Sequence, residues 1–181
     1  MAAPRRPRPQ GKADRQAGEV VAAAPPLWVP QPGPQTLLCQ CPVPEIFFGG
    51  ARGGGKSDGL LGEWYGHAMT YGSKARGIMV RREGIQLEDI IARSQQLYGP
   101  AGWQWNAGKN FWTSPQGAVL RFRHLWDETA AGSYLGHAYT RVYAEELTNW
   151  PTPKPLLLLM ATLRSAHGVP VGFRASGNPG G

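Results

Sequence analysis

Residues 50–57 read Gly50-Ala51-Arg52-Gly53-Gly54-Gly55-Lys56-Ser57, a complete G-x-x-x-x-G-K-[ST] pattern. Such a loop binds phosphate for separable reasons. Its glycines let the backbone curl until successive N–H groups point inward at anionic oxygens. A helix that starts at its end adds a positive N-terminal dipole. Lys56 is placed to reach β and γ phosphates, and the Ser57 hydroxyl to complete a Mg²⁺ shell. The bland alternative is a glycine-rich turn that binds nothing. The context decides for the phosphate site, because the loop lies between an apolar run at 45–48 and an amphipathic run at 57–71.

Hydrolysis of a nucleoside triphosphate needs one acid to hold the metal and a second to activate water. Two pairs compete. Asp127-Glu128 follows "VLRFRHL", whose Arg/apolar alternation predicts a half-exposed antiparallel strand, not a central parallel one. Glu145-Glu146 follows the mostly apolar run 139–144, so Glu145 is expected to hold the metal and Glu146 to polarise water. A solvated helix N-terminus is the plain alternative for this pair. Asn178, at the next strand end, is placed to touch a γ-phosphate or the attacking water, although Asn-Pro-Gly also makes an ordinary turn. Arg52 is read as a γ-phosphate contact or a solvent-exposed loop residue, and Gln35 as an adenine contact. Arg164, after an apolar helix, is a candidate to reach a neighbouring subunit's nucleotide or is simply a helix-end cation.

These residues need a scaffold. Periodicity predicts strands at 45–48, 77–82 and 139–144, and a last one in "VGFRAS". Helices are expected at 57–71, in "IQLEDIIARSQQLYG" and in "KPLLLLMATLRS", and a hairpin joins "NFWTS" to "AVLRFRHL". Strands separated by helices of this length imply a parallel sheet covered on both faces. The Trp residues of "WQWNAGKNFW" could meet DNA, but cross-strand packing is the better reading.

The 181 residues suffice for one domain with a real core, and 41% hydrophobic content supports a folded body. The net charge of +7 favours a polyanionic partner. Five of the cations, Arg5, Arg6, Arg8, Lys12 and Arg15, fall in a Pro/Arg-rich stretch read as a disordered basic arm, residues 1–34, with order beginning near Gln35 and Trp28 in a solvated tail. Cys39 and Cys41 are too close for an ordinary disulfide and lack zinc spacing. No signal peptide or membrane span is expected, so the chain is read as soluble and cytoplasmic.

Taken in order, "FFGGARGGGKS", "VRREGIQLEDI", "YLGHAYTRVYAEELTNWP", "LRS" and "SGNPGG" resemble the N-terminal ATPase of tailed-phage terminase large subunits, over residues 35–181. The resemblance implies an α/β P-loop NTPase of the additional-strand type, with the sensor strand between the P-loop strand and the acidic strand, and with the hairpin as an insertion. It places Glu145-Glu146 on the family's acidic pair and "SGNPGG" on its coupling motif. It implies ATP and Mg²⁺ as cofactors, and double-stranded DNA, a portal protein, a small terminase subunit and further copies in a ring as partners. The family's nuclease domain and last sheet strands are expected to lie beyond this chain. The rival readings are another nucleic-acid P-loop ATPase of helicase type and an inactive prophage remnant.

Overall fold

The computed structural model describes residues 27–178, so the larger part of the expected basic arm, residues 1–26, lies outside the described residues. The chain runs α1 (Pro34–Gln40), β1 (Glu45–Gly49), α2 (Lys56–Tyr71), β2 (Arg76–Arg81), α3 (Leu87–Tyr98), β3 (Gln104–Asn106), β4 (Phe111–Thr113), β5 (Val119–His124), α4 (Glu128–Gly132), β6 (Arg141–Ala144), α5 (Lys154–Met160) and β7 (Gly172–Gly177). Short 3₁₀ turns follow α2 and β6. One seven-stranded sheet has the order β1-β7-β6-β2-β5-β4-β3. β7 thus lies between the P-loop strand β1 and the acidic strand β6, as the additional-strand reading requires. The sheet is open, with β1 and β3 at its edges.

Two cores sandwich the sheet. On one face Leu60, Leu61, Trp64 and Ala68 of α2 meet Met79, Leu120 and Tyr143. On the other, Leu156 and Leu159 of α5 meet Ile78, Val80, Val142 and Phe173. Truncating any of these buried leucines costs about 2–5 kcal/mol. α2 lies so near the sheet that a Cβ on Gly77 would come within 2.6 Å of the Trp64 ring and 2.9 Å of Leu120. Gly77 is therefore the residue that lets the helix carrying Lys56 press against β2.

β5 corrects one expectation. It does form a hairpin with β4, pairing antiparallel, but its other edge runs parallel to β2. The alternation reports which side chains meet the core, and says nothing about the polarity of the neighbour. Leu120 and Phe122 are buried, whereas Arg121 and Arg123 face away. The tryptophans of the hairpin are packing residues: Trp103 stacks on Tyr98 at 4.5 Å between ring centroids, and Trp105 faces Trp112 across β3 and β4 at 5.1 Å.

Two short elements escape the periodicity, and a third ends earlier than it predicts. α1 starts inside a Pro/Gly run with a proline in its first turn, a position where the missing N–H costs nothing. α4 has five residues, fewer than two turns. α5 stops at Met160 because the chain turns there and Leu163 bridges to Tyr139. Trp28 is not solvated: its indole N–H donates to Asp58 Oδ2 at 2.9 Å, and its ring lies over Gly62 of α2.

Candidate nucleotide-binding site

The parallel strands β1, β7, β6 and β2 all end on one side of the sheet, where loops and helix N-termini meet. Crevices at this edge are where open α/β sheets bind ligands. A cleft of ≈ 750 Å³ opens there, lined by the loop from Arg52 through Ser57 and by Arg81, Glu146 and Asn178.

The loop leaves β1 while Gly50 N–H still bonds the Gly177 carbonyl of β7 at 3.3 Å. Gly53 and Gly55 have φ of 80° and 70°, a left-handed backbone that glycine adopts without strain. A side chain at Gly55 would in addition lie 2.7 Å from Gln35 Nε2. Gln35 is only 2% exposed. Its amide donates to the Gly55 carbonyl at 2.8 Å, while its Oε1 accepts from Gln31 N–H at 2.8 Å. Its carboxamide is thus occupied in bracing the loop, a use that the expected adenine contact did not include. Arg52 is exposed at the cleft rim.

Lys56 is 7% exposed, and its ammonium donates to Gly50 O and Ala51 O at 2.9 Å and to Asn178 Oδ1 at 2.8 Å. All three acceptors are neutral. No carboxylate pairs with Lys56 among the described residues. A buried cation held by dipoles alone leaves electrostatic demand for an anion.

The two acids diverge. Glu146 has φ 55°, an uncommon left-handed backbone for a non-glycine residue, and the turn sends consecutive carboxylates in different directions. Glu145 points inward, 1% exposed, and accepts from the Ser57 hydroxyl and, at 2.5 Å, from Arg81 Nε. Burial pushes its carboxyl above the ordinary range, and the Arg81 hydrogen bond and charge oppose that shift. Glu146 lines the cleft instead, and its Oε2 accepts from Asn178 Nδ2 at 3.4 Å. Asn178 therefore bridges the loop lysine and the outer acid.

Mg²⁺ fits the donors present: Ser57 and Glu145 are in contact and offer only oxygen, the hard set that suits this ion. No group of three or more His, Cys, Asp or Glu suited to a metal occurs among the described residues. An ion here would complete its shell with phosphate and water.

Asp127 lies elsewhere. It caps α4, its Oδ1 accepting from Ala130 N–H at 2.8 Å. Arg164 is exposed, away from the cleft, and reaches the Gly136 carbonyl at 3.4 Å. Sequence reasoning gave no role to Arg81, although it ends the strand next to the acidic one, nor to Arg93, which pairs with Asp58 at 2.6 Å beside the loop. Cys39 and Cys41 are free. No helix among the described residues is long and apolar enough to cross a membrane.

No family model matches the chain, and no curated protein matches it in sequence. Solved structures do match. The large terminase of a thermophilic bacteriophage superposes with a TM-score of 0.67 at 14% identity, over 80% of this chain and 38% of that one. Another crystal form of the same terminase, in complex with ADP, gives 0.60 at 16% identity, over 80% and 37%. The N-terminal domain of the DNA packaging ATPase from bacteriophage phi29 gives 0.58 at 19% identity, over 81% of each chain. The large terminase ATPase domain of Thermus phage P74-26 gives 0.61 at 14% identity, over 80% and 63%. The chain spans about 38% of the length of the first of these proteins. At these identities the likeness is one of architecture, and in architecture this chain has the fold of the ATPase domains of phage large terminases.

Proposed function

We propose that the chain is the ATP-hydrolysing motor domain of a phage or prophage terminase large subunit, which drives double-stranded DNA into a procapsid. The observation that carries the reading is one linked constellation at the strand ends. Asn178 joins Lys56 to Glu146, and Ser57 joins the loop to Glu145, which Arg81 holds in place. A phosphate loop, an inward acid, an outward acid and a polar bridge on a third strand are the parts that phosphoryl transfer to water needs.

The roles follow from direction and burial. Backbone N–H groups of residues 53–57 cradle the phosphates at the start of α2. Lys56 exchanges its carbonyl acceptors for phosphate oxygens and neutralises charge on the group being transferred. Ser57 and Glu145 would hold Mg²⁺, which would supply further neutralisation of phosphate charge. Glu146, the acid open to the cleft, orients water for attack on the γ-phosphorus and takes its proton as the bond to the ADP oxygen breaks. Asn178 keeps Glu146 at a fixed distance from Lys56, so a change at the γ position is felt at both. Arg52 at the cleft rim is placed to contact the γ-phosphate.

The ring of copies, the portal protein and the small subunit enter as partners of the same reading. Arg164, exposed and outside the cleft of its own chain, is a candidate to complete a neighbour's site. Replacing Glu146 with Gln keeps the side chain's shape and removes the base. Glu146→Gln is expected to bind Mg-ATP normally and to lose about 10²–10⁴-fold in turnover. Asp127→Asn keeps a good helix cap and leaves turnover unchanged. Phosphate release measured on both variants checks the assignment, and a dispensable Glu146 beside an essential Asp127 reverses it.

A further inference from the structure

Outside the nucleotide cleft, the outer face of the β5–β4 hairpin carries a stripe of arginines. Val119, Arg121 and Arg123 point to one side of β5, and the register with β2 puts Arg76 on that side too. Successive same-face residues on a strand stand about 6.7 Å apart, close to the spacing of phosphates along one nucleic-acid strand. None of the ion pairs among the described residues involves Arg76, Arg121 or Arg123, although α4 presents Asp127 and Glu128 nearby in sequence.

Two of the guanidiniums are positioned by something other than a counter-charge. Arg121 lies over the Phe111 ring, 5.2 Å from its centroid. Arg123 is anchored through Nη1 alone, to the carbonyls of Lys109, Asn110 and Phe122 at 2.6–3.2 Å, which leaves its other N–H donors for a ligand. Between Arg76 and Arg121 is a recess of ≈ 220 Å³ reaching Tyr139. Tyr139 is 3% exposed, and its hydroxyl has no partner among the described residues. Buried hydroxyls are nearly always hydrogen-bonded, so the Tyr139 hydroxyl is an unmet polar group in a residue that borders this recess.

We propose that this face grips the phosphate backbone of double-stranded DNA, with one phosphate seated in the recess between Arg76 and Arg121 and the next along the strand on Arg123. The choice of duplex DNA among polyanions rests on the motor reading; the unpaired basic face does not. β2 then links the two activities physically, since it carries Arg76 at one end and Arg81, the partner of Glu145, at the other.

The test is a salt titration of the whole chain binding a 30-base-pair duplex of arbitrary sequence, with DNA-independent ATP hydrolysis measured beside it. Each phosphate contact contributes about 0.9 to the slope of log affinity against log salt. Arg121→Ala/Arg123→Ala is expected to lower that slope by about 2, equally for unrelated sequences, while hydrolysis without DNA stays unchanged. Arg121→Lys/Arg123→Lys restores most of the slope. Arg76→Ala alters an exposed side chain only, so it decides the matter if the double variant does not fold: a slope lower by about 1 supports the face. Unchanged slopes in folded variants overturn it, as does preferential loss of single-stranded RNA binding over duplex binding. Absent ATP hydrolysis in the unaltered chain with these slope changes intact would break the motor reading and leave the face standing.

Discussion

Both ends of the parallel strands are dense in charge, yet the charges are met differently at each. At the start of β6 and β7, Glu63 of α2 takes Arg141 Nε at 3.0 Å, Arg174 at 3.8 Å and the Tyr143 hydroxyl, all buried under the helix. His67 adds a bond to Thr140 at 3.0 Å. Both arginines there share the one carboxylate of Glu63, so the cluster holds α2 to the sheet. At the other end, Lys56 has only neutral acceptors, Glu146 faces the cleft, and Asn178 couples them through a long 3.4 Å contact. Chemistry follows from unmet electrostatic demand that a substrate can satisfy, and the count of charged residues does not reveal it.

The sharpest way to break this comparison is to cut the structural cluster. Glu63→Ala strands two buried arginines, for a cost of about 3–5 kcal/mol, which lowers the melting temperature by roughly 6–20 °C for a chain of this size. Nucleotide affinity per folded molecule should not change, as thermal melts beside nucleotide titrations will show. A Glu63 variant that melts normally but loses nucleotide would make the two ends one unit.

Arg81→Ala comes next. It leaves Glu145 with the Ser57 hydroxyl as its one hydrogen-bond donor, costing about 1–3 kcal/mol. Without that guanidinium the Glu145 carboxyl rises further, so the acidic limb of the turnover profile moves to higher pH. An unmoved pH profile would show that Arg81 does not set the state of Glu145.

The smallest effect belongs to His67. Burial, then Arg141 and Arg174, lower its imidazole pKa from 6.5 to about 3. The folded chain keeps this ring neutral while the unfolded chain takes up a proton, so stability is full above pH 6.5 and falls as the pH drops from there toward 3. Acidification to pH 5.5 should cost about 1 kcal/mol through this group, and His67→Gln should flatten the loss. Parallel melts at pH 7.5 and 5.5 measure it, and equal losses in both proteins contradict the reading.

What the sequence disclosed divides along the same line. The phosphate loop, the acid pair and Asn178 sit in contiguous stretches whose geometry is local, so residue type and order sufficed to single them out. Arg81 gains its meaning only when β2 and β6 lie side by side and its guanidinium meets Glu145. The Glu63 cluster draws on α2, β6 and β7, and no pattern in any one segment announces it. Trp28 was misjudged for the opposite reason: Pro-rich surroundings suggested loose chain, yet its indole bonds Asp58 of the loop helix, and Gln35, read as an adenine contact, has its carboxamide on the Gly55 carbonyl. In β5 the alternation correctly marked a one-sided strand but was silent on which partner lay alongside.

The central claim is that Lys56 waits for a phosphate. Calorimetric titration of Mg-ATP into the chain and into Lys56→Ala tests it most directly, with circular dichroism to confirm the fold of each. Binding heat is expected for the unaltered protein and none, or affinity weaker by at least about 100-fold, for the variant. Equal affinity in two folded proteins would contradict it.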